Sequence, residues 1–357
     1  YRSLDRMRPP AAKMPDKPNS TKTPNSLDEF GVISEFFTDK GAHPNAWPSQ
    51  GVGDDCAFLD IGDKRIAVTT DMMALGTHFF DNADPYTVGR KSLAVNLSDL
   101  AAAGAVPKAF FLSISFPSID EKWLKAYSKG LMEESFRYGC PLRGGDTVKA
   151  PVIDGKPSKT TISITALGEL PAGKGLTRSG ARPGDDIWVS GTPGDAFAAL
   201  GDIWGYWKCA PSDYRYFKSR MDKPTARVAL GMGLLNLASS ACDISDGLIG
   251  DLQHILDRSG VSAVLHWKDF PLSEAMRNMP EDVRRRCVLS GGDDYELLFT
   301  ASAEQRARIL ELSQRLSVPI TRIGEITGAG ESLLIDDGEG GVLSPQPSFN
   351  HFANEVV

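Results

Sequence analysis

Apolar and polar residues alternate strictly in two stretches of the chain. Leu112, Ile114 and Phe116 are separated by Ser113 and Ser115, and Ile162, Ile164 and Ala166 follow Thr161, Ser163 and Thr165 in turn. A period of two sends successive side chains to opposite sides of an extended backbone, so both stretches are predicted to be strands with one buried face. Between them Trp123, Leu124, Tyr127, Leu131 and Tyr138 recur at helical spacing, and Gly139 supplies the left-handed residue on which helices commonly end. Upstream, residues 56–61 and 65–70 are predicted strands joined by a Gly62-Asp63 turn. Ser26-Leu27-Asp28-Glu29 ahead of Phe30, Ile33, Phe36 and Phe37 has the form of a capping box opening a helix. Further on, Leu248, Ile249, Leu252, Ile255 and Leu256 predict an amphipathic helix after Asp246, and Ile309, Leu310, Leu312 and Leu316 predict another.

Helices and strands therefore occur in both halves of the chain, and its 357 residues exceed what one core usually organises, so two domains of α+β or α/β type are expected. Residues 173–185, which hold Gly173, Gly175, Gly180, Gly184 and Pro183 without periodicity, are the expected junction. The domains would then span residues 26–172 and 173–357. Residues 1–25 are rich in Pro, Lys, Arg, Ser and Thr, bury too little apolar surface to offset the entropy of ordering, and are expected to form a disordered tail. Asp5 and Asp16 speak against a basic transit peptide there.

Charge changes the picture more than composition does. With 41% hydrophobic and 24% charged residues the chain is ordinary for a globular protein, but its net charge of −7 argues against a nucleic-acid partner, which needs clustered Lys and Arg. No apolar run reaches the ~18 residues of a membrane span, and residues 1–25 lack the apolar stretch of a secretory signal. The five cysteines are odd in number, scattered and free of any CxxC pair, which reads as reduced thiols in a cytoplasmic enzyme. An acidic protein that handles phosphates must bring in cations to bridge its carboxylates to them.

One element recurs: Gly51-Val52-Gly53-Asp54-Asp55, Gly144-Gly145-Asp146 and Gly291-Gly292-Asp293-Asp294. Glycine lets a backbone approach a ligand closely, and an acid directly after it can hold a hard cation, although a single Gly-Asp is more often a plain turn. Val68-Thr69-Thr70-Asp71 ends an apolar strand, where two hydroxyls and a carboxylate can ligate magnesium or simply be solvated. Asn96 and Asp99, spaced i, i+3, share one face of a predicted helix over residues 91–103. Asp243 and Asp246 flank Ser245 at a helix start, where one carboxylate suffices for capping and two can hold Mg²⁺ and phosphate together. Arg178 reads equally well as a phosphate contact or as a surface residue at the junction, and His78 beside Phe79 as a structural histidine. The chain has no Gly-x-x-x-x-Gly-Lys-Ser/Thr loop, no protein-kinase motif set and no His-Glu-x-x-His, so phosphate charge must be met by other means than a P-loop or zinc.

Taken in order, these motifs resemble the thiamine-monophosphate kinase family, within the superfamily of aminoimidazole ribonucleotide synthetase and selenide water dikinase. The matching runs include Gly76-Thr77-His78-Phe79, Ala94-Val95-Asn96-Leu97-Ser98-Asp99, Leu176-Thr177-Arg178-Ser179-Gly180, Asp243-Ile244-Ser245-Asp246-Gly247 and Ser290-Gly291-Gly292-Asp293-Asp294-Tyr295-Glu296. The resemblance implies an α+β fold, with an N-terminal mixed-sheet domain that dimerises through its sheet and a C-terminal α/β/α sandwich. It also implies transfer of the ATP γ-phosphoryl group to thiamine monophosphate without a phosphoenzyme. Under it, Asp55, Thr69, Thr70, Asp71, Asp99, Asp146, Asp243 and Asp246 hold Mg²⁺, with Asp71 and Asp246 at the centre of catalysis. Gly145, Arg178 and Ser245 touch ATP, while His78, Asp293 and Phe349 meet the acceptor. Met72-Met73-Ala74-Leu75 and Val148 depart from the family pattern without removing an expected ligand, and the run around Phe349 matches it loosely.

Overall fold

The computed structural model describes residues 29–38, 49–50, 52–330, 332–344 and 347–348. The expected tail, the Ser26 capping box and Phe349 lie outside the described residues.

Two six-stranded sheets organise the chain. The first runs β1 (Ser49–Gln50), β2 (Ala57–Ile61), β3 (Lys64–Ala74), β8 (Thr161–Pro171), β4 (Val106–Phe116) and β5 (Leu142–Lys149) in spatial order, and β6 (Val152–Ile153) and β7 (Lys156–Pro157) form a separate hairpin. All neighbours in the sheet are antiparallel except β4 and β5. The alternation read from the sequence is realised in β8, where Ile162, Ile164, Ala166 and Leu170 are buried while Thr161, Ser163 and Thr165 stay half-buried on the other face. Two helices, Pro85–Ala102 and Glu121–Tyr138, pack on each other and cover the buried face. The first begins well before residue 91 because Asp84 accepts the Tyr86 N–H (3.0 Å) with Pro85 at the first helical position. Asp120 caps the second in the same way, and Gly139 ends it at φ 61°. Leu93, Leu97, Leu100 and Leu131 are at most 1% exposed, each contributing about 1.5–3 kcal/mol of burial.

The second sheet runs β10 (Ser240–Asp243), β12 (Leu297–Ser302), β9 (Asp185–Ser190), β13 (Ile320–Ala329), β11 (Val261–His266) and β14 (Leu333–Asp336), antiparallel throughout except for β11 with β14. All of β9 is buried, so it shows no alternation. Ile187, Val189 and Leu298 pack with Leu248, Leu252 and Ile255 of the helix Leu248–Ser259. Trp188 and Phe299, their rings stacked at 6.4 Å, belong to a second cluster with Leu230 and Leu234 of the helix Val228–Leu234 and Ile309 and Leu312 of the helix Arg306–Leu316. Helices on both faces make this half an α/β/α sandwich. The second cluster continues into the first half through Leu97 and Leu100, so the helix Pro85–Ala102 is shared between the two cores. Among the described residues no helix is long and apolar enough to cross a membrane.

Candidate active site at the boundary of the two sheets

The shared helix and strand β3 build one wall. Because side chains alternate along a strand, Thr69 and Asp71 point to the helix side while Thr70 points away, exposed and hydrogen-bonded to the Thr165 hydroxyl (2.9 Å). The Thr69 hydroxyl donates to Asp99 Oδ2 (2.5 Å), and Asn96 Oδ1 accepts the Asp71 N–H (3.1 Å), so the i, i+3 pair does share the face that meets β3. Asp243, the last residue of β10, brings in the second sheet, and its Oδ2 accepts from the buried Ser98 hydroxyl (2.6 Å) on the same helix. Asp55 completes the set: Asp55, Asp99 and Asp243 each offer a carboxylate oxygen, all within 4.8 Å of one another.

Three carboxylates this close repel one another and lose hydration. Burial, then the charges of Asp71, Asp243 and Asp55, hold Asp99 well above the usual carboxylate range. Asp243 is pushed up to about 8 by burial and then by Asp55. Burial also raises Asp55, against the pull of Arg178, whose Nε and Nη2 donate to its Oδ1 at 3.1 and 2.5 Å. The Arg178 N–H is held by Asp54 Oδ1 (2.6 Å). One guanidinium does not balance three carboxylates, so the cluster fits a further cation, and its all-oxygen donor set suits hard Mg²⁺. Two buried thiols adjoin it. The Cys56 thiol donates to the Asp99 carbonyl (3.4 Å), and burial followed by the neighbouring acids pushes Cys56 and Cys242 far up.

The loop after β10 is fixed from an unexpected direction. The helix Leu248–Ser259 starts from Gly247, which has no side chain to cap it, and Asp243 turns to Ser98. The N–H groups of Ser245, Asp246 and Gly247 instead converge on Asp251 Oδ2 at 3.2, 3.3 and 3.2 Å. Asp251 is 1% exposed and sits between Leu248 and Ile255 on the apolar stripe of its own helix, a placement visible in the sequence that the motif reading passed over. Residues 291–296 then extend the β10–β12 pairing: Asp293 N donates to Ser245 O (2.7 Å), Tyr295 N to Ile244 O (2.8 Å) and Ile244 N to Glu296 O (2.9 Å). The fit requires glycine at 292, where a Cβ would lie 2.3 Å from Ser245 O. Asp293 and Tyr295 adopt φ of 72° and 54°, strained for residues with side chains. Asp293 Oδ2 accepts from Lys91 Nζ (2.5 Å), a partner that the sequence reading did not foresee.

Other expected residues stand further out. His78 lies in the turn after β3, its Nδ1 accepting the Ala74 N–H (3.1 Å). Gly145 and Asp146 are on the exposed edge strand β5, where Asp146 Oδ1 accepts the Thr147 N–H (2.8 Å) and Gly145 has φ 144°. Among the described residues, the cluster of ligand atoms formed by the carboxylate trio includes neither His78 nor Asp146.

Residues 53–170 match the N-terminal domain of AIR synthase related protein, and residues 182–337 match its C-terminal domain. A thiamine-monophosphate kinase of Escherichia coli (strain K12) is 39% identical over 329 residues, which cover 91% of this chain and 98% of that protein. Among solved structures, thiamine-monophosphate kinase from Stenotrophomonas maltophilia K279a is 40% identical with a TM-score of 0.71, covering 82% of this chain and 92% of that one. The AaThiL complex with AMPPCP and TMP is 28% identical with a TM-score of 0.77, covering 94% of this chain and 100% of that one.

Proposed function

We propose that this chain, which belongs to the AIR synthase related family and within it to the thiamine-monophosphate kinases, passes the γ-phosphoryl group of ATP to its acceptor in one direct, in-line step. The protein is an ATP-dependent kinase of thiamine monophosphate, and the product is thiamine diphosphate. An oxygen of the acceptor phosphate forms the new bond to the γ-phosphorus as the bond from that phosphorus to the bridging β,γ-oxygen breaks, and ADP departs. The observation that carries the metal-dependent part of this reading is the Asp55, Asp99 and Asp243 trio at the boundary of the two sheets.

Asp55, Asp99 and Asp243 would hold Mg²⁺, with Thr69, Asp71 and Asp246 as further ligands, while Thr70 and Asp146, whose side chains stand away from the trio, would serve a separate ion. Bound there, the ion supplies the positive charge that offsets repulsion between two phosphate groups. Asp71 and Asp246 are assigned to the reacting groups: the Asp71 N–H is held by Asn96 of the shared helix, and Asp246 lies in the loop after β10 whose N–H groups Asp251 gathers. Arg178, Gly145 and Ser245 are assigned to ATP, and His78, Asp293 and Phe349 to the acceptor. Positioning rather than proton transfer is the main task of these side chains, because phosphoryl transfer asks little covalent chemistry of the protein.

We further assign a cytoplasmic location, where ATP is at hand, and a homodimer formed through the first sheet. Every residue of β5 is exposed, Val148 on it and Phe111 on the neighbouring β4 are exposed apolar residues, and Met72 is another on β3 of the same sheet. An uncovered edge of this kind invites pairing with a second copy. Light scattering that finds only a monomer at micromolar concentration contradicts the dimer.

The activity is tested by following ADP release and product identity with thiamine monophosphate, thiamine and pyridoxal, with and without Mg²⁺. Thiamine diphosphate is expected from thiamine monophosphate alone and only when Mg²⁺ is present. ADP release with another of these acceptors and none with thiamine monophosphate overturns the assignment.

A further inference from the structure

Lysine is rarely buried unless paired, and Lys91 is only 8% exposed. It belongs to the helix Pro85–Ala102, which also carries Asn96 and Asp99, yet its ammonium reaches across to the second half of the chain. There it donates to Asp293 Oδ2 (2.5 Å) and to the Met221 carbonyl (3.1 Å). Its partner is not an ordinary surface acid. Asp293 sits in a strained left-handed conformation and is tied by its own N–H to Ser245. Strain of this kind persists only where the surroundings over-determine the backbone, and it collects where a side chain must be aimed.

We propose that Lys91 is a positioning residue for the acceptor: from the first domain its ammonium fixes the Asp293 carboxylate of the second, so that Asp293 is held in place to meet the bound thiamine monophosphate. The inference rests on the assignment of Asp293 to the acceptor. Backbone and side chain are fixed separately: Gly292 lets the loop lie flush on Ser245, and Lys91, from the helix of the other sheet, reaches the carboxylate itself. The same contact spans the boundary between the halves, so the acceptor site is complete only while the shared helix and residues 291–296 keep their register. Arginine is not an equivalent anchor, because its planar fork is wider than a point-like ammonium held by one carboxylate oxygen and one carbonyl.

The test is steady-state kinetics with both substrates varied, on purified full-length variants. Lys91→Met is expected to raise KM for thiamine monophosphate about 10–100-fold, the scale of one lost charge-assisted hydrogen bond, while KM for ATP stays within about twofold and kcat within about threefold. Asp293→Asn should raise the same KM, and Lys91→Met/Asp293→Asn should be no worse than Asp293→Asn alone, because Lys91 acts through Asp293. Lys91→Arg should recover part of the loss. A merely structural lysine would lower the melting temperature, leave the ratio of the two KM values unmoved and add its effect to that of Asp293→Asn, and that pattern overturns the proposal. If Lys91→Met does not fold, Lys91→Arg decides: a rise in KM confined to thiamine monophosphate supports the proposal, and equal changes in both KM values contradict it. Wild-type protein that forms no thiamine diphosphate overturns the functional reading and this proposal with it, whereas wild-type turnover beside an unmoved KM in Lys91→Met overturns the proposal alone.

Discussion

Asp243→Asn is expected to lower turnover by about 10³-fold or more, equivalent to several kcal/mol of lost transition-state stabilisation, and to raise the melting temperature of the cation-free protein. The two effects have one cause. Asp243 is 2% exposed, beside Asp55 and Asp99, and burial followed by the Asp55 charge pushes its carboxyl up to about 8. A carboxyl raised on folding contributes stability that is fully present below its ordinary value near 4 and lost as pH rises toward 8. At neutral and higher pH the cluster therefore works against the fold unless a cation balances it. Asparagine keeps the shape and an acceptor for the Ser98 hydroxyl while removing the ionisable group and the anionic ligand. Melts in chelator at pH 5 and pH 8 check the sign: the gain of the variant over wild type should be larger at pH 8, and added Mg²⁺ should stabilise wild type far more than Asp243→Asn. A variant that is both active and less stable contradicts this account.

The largest stability effect is expected at Glu296. It is 1% exposed and takes Arg227 Nη2 and Arg220 Nη2 on Oε1 at 2.6 and 2.7 Å, and Arg227 Nε and the Ser190 hydroxyl on Oε2, both at 2.6 Å. Burial pushes this carboxyl up, but the hydrogen bond and charge of Arg227, then the charge of Arg220, outweigh it and leave Glu296 below its ordinary value. Glu296→Leu leaves the largely buried Arg227 guanidinium without its carboxylate and Arg220 with only the longer pairing to Asp195 (3.9 Å), a loss of about 3–5 kcal/mol when one partner of a buried pair is removed. Its stability contribution is present above the ordinary glutamate range and lost as pH falls through the lowered folded value, so the variant should also lose part of the wild type's acid sensitivity. Urea unfolding at pH 7 and pH 4 measures both. A change below about 1 kcal/mol at pH 7 would show that the pair contributes no more than an exposed one. Because the Glu296 carbonyl accepts the Ile244 N–H, weakening this point also loosens residues 291–296 against the Ser245 loop.

Much of the fold was legible because its signals are local. The alternation of Ile162, Ile164 and Ala166 predicted β8, helical spacing from Trp123 to Tyr138 predicted the second helix, and Asn96 with Asp99 do share a face. Strand β9 escaped because a strand buried on both sides has no alternation to read. Thr69 and Thr70 came together in a motif, yet a period of two separates them, and only Thr69 meets Asp99. Asp243 was ambiguous between capping and ligation until Asp251 was found holding the loop's N–H groups from inside the helix. Lys91 with Asp293 and Glu296 with Arg220 and Arg227 were beyond local reasoning, since each pairing is made by the tertiary fold over long separations in the chain.

The central claim is that Asp55, Asp99 and Asp243 form a cation site between the two sheets. Crystals grown with Mn²⁺, a non-hydrolysable ATP analogue and thiamine monophosphate test it most directly, through anomalous scattering from the metal. The account predicts an anomalous peak at oxygen-ligand distance, about 2.1–2.2 Å, from carboxylate oxygens of that trio. A crystal with both substrates clearly bound and no metal peak against any of the three carboxylates would contradict it.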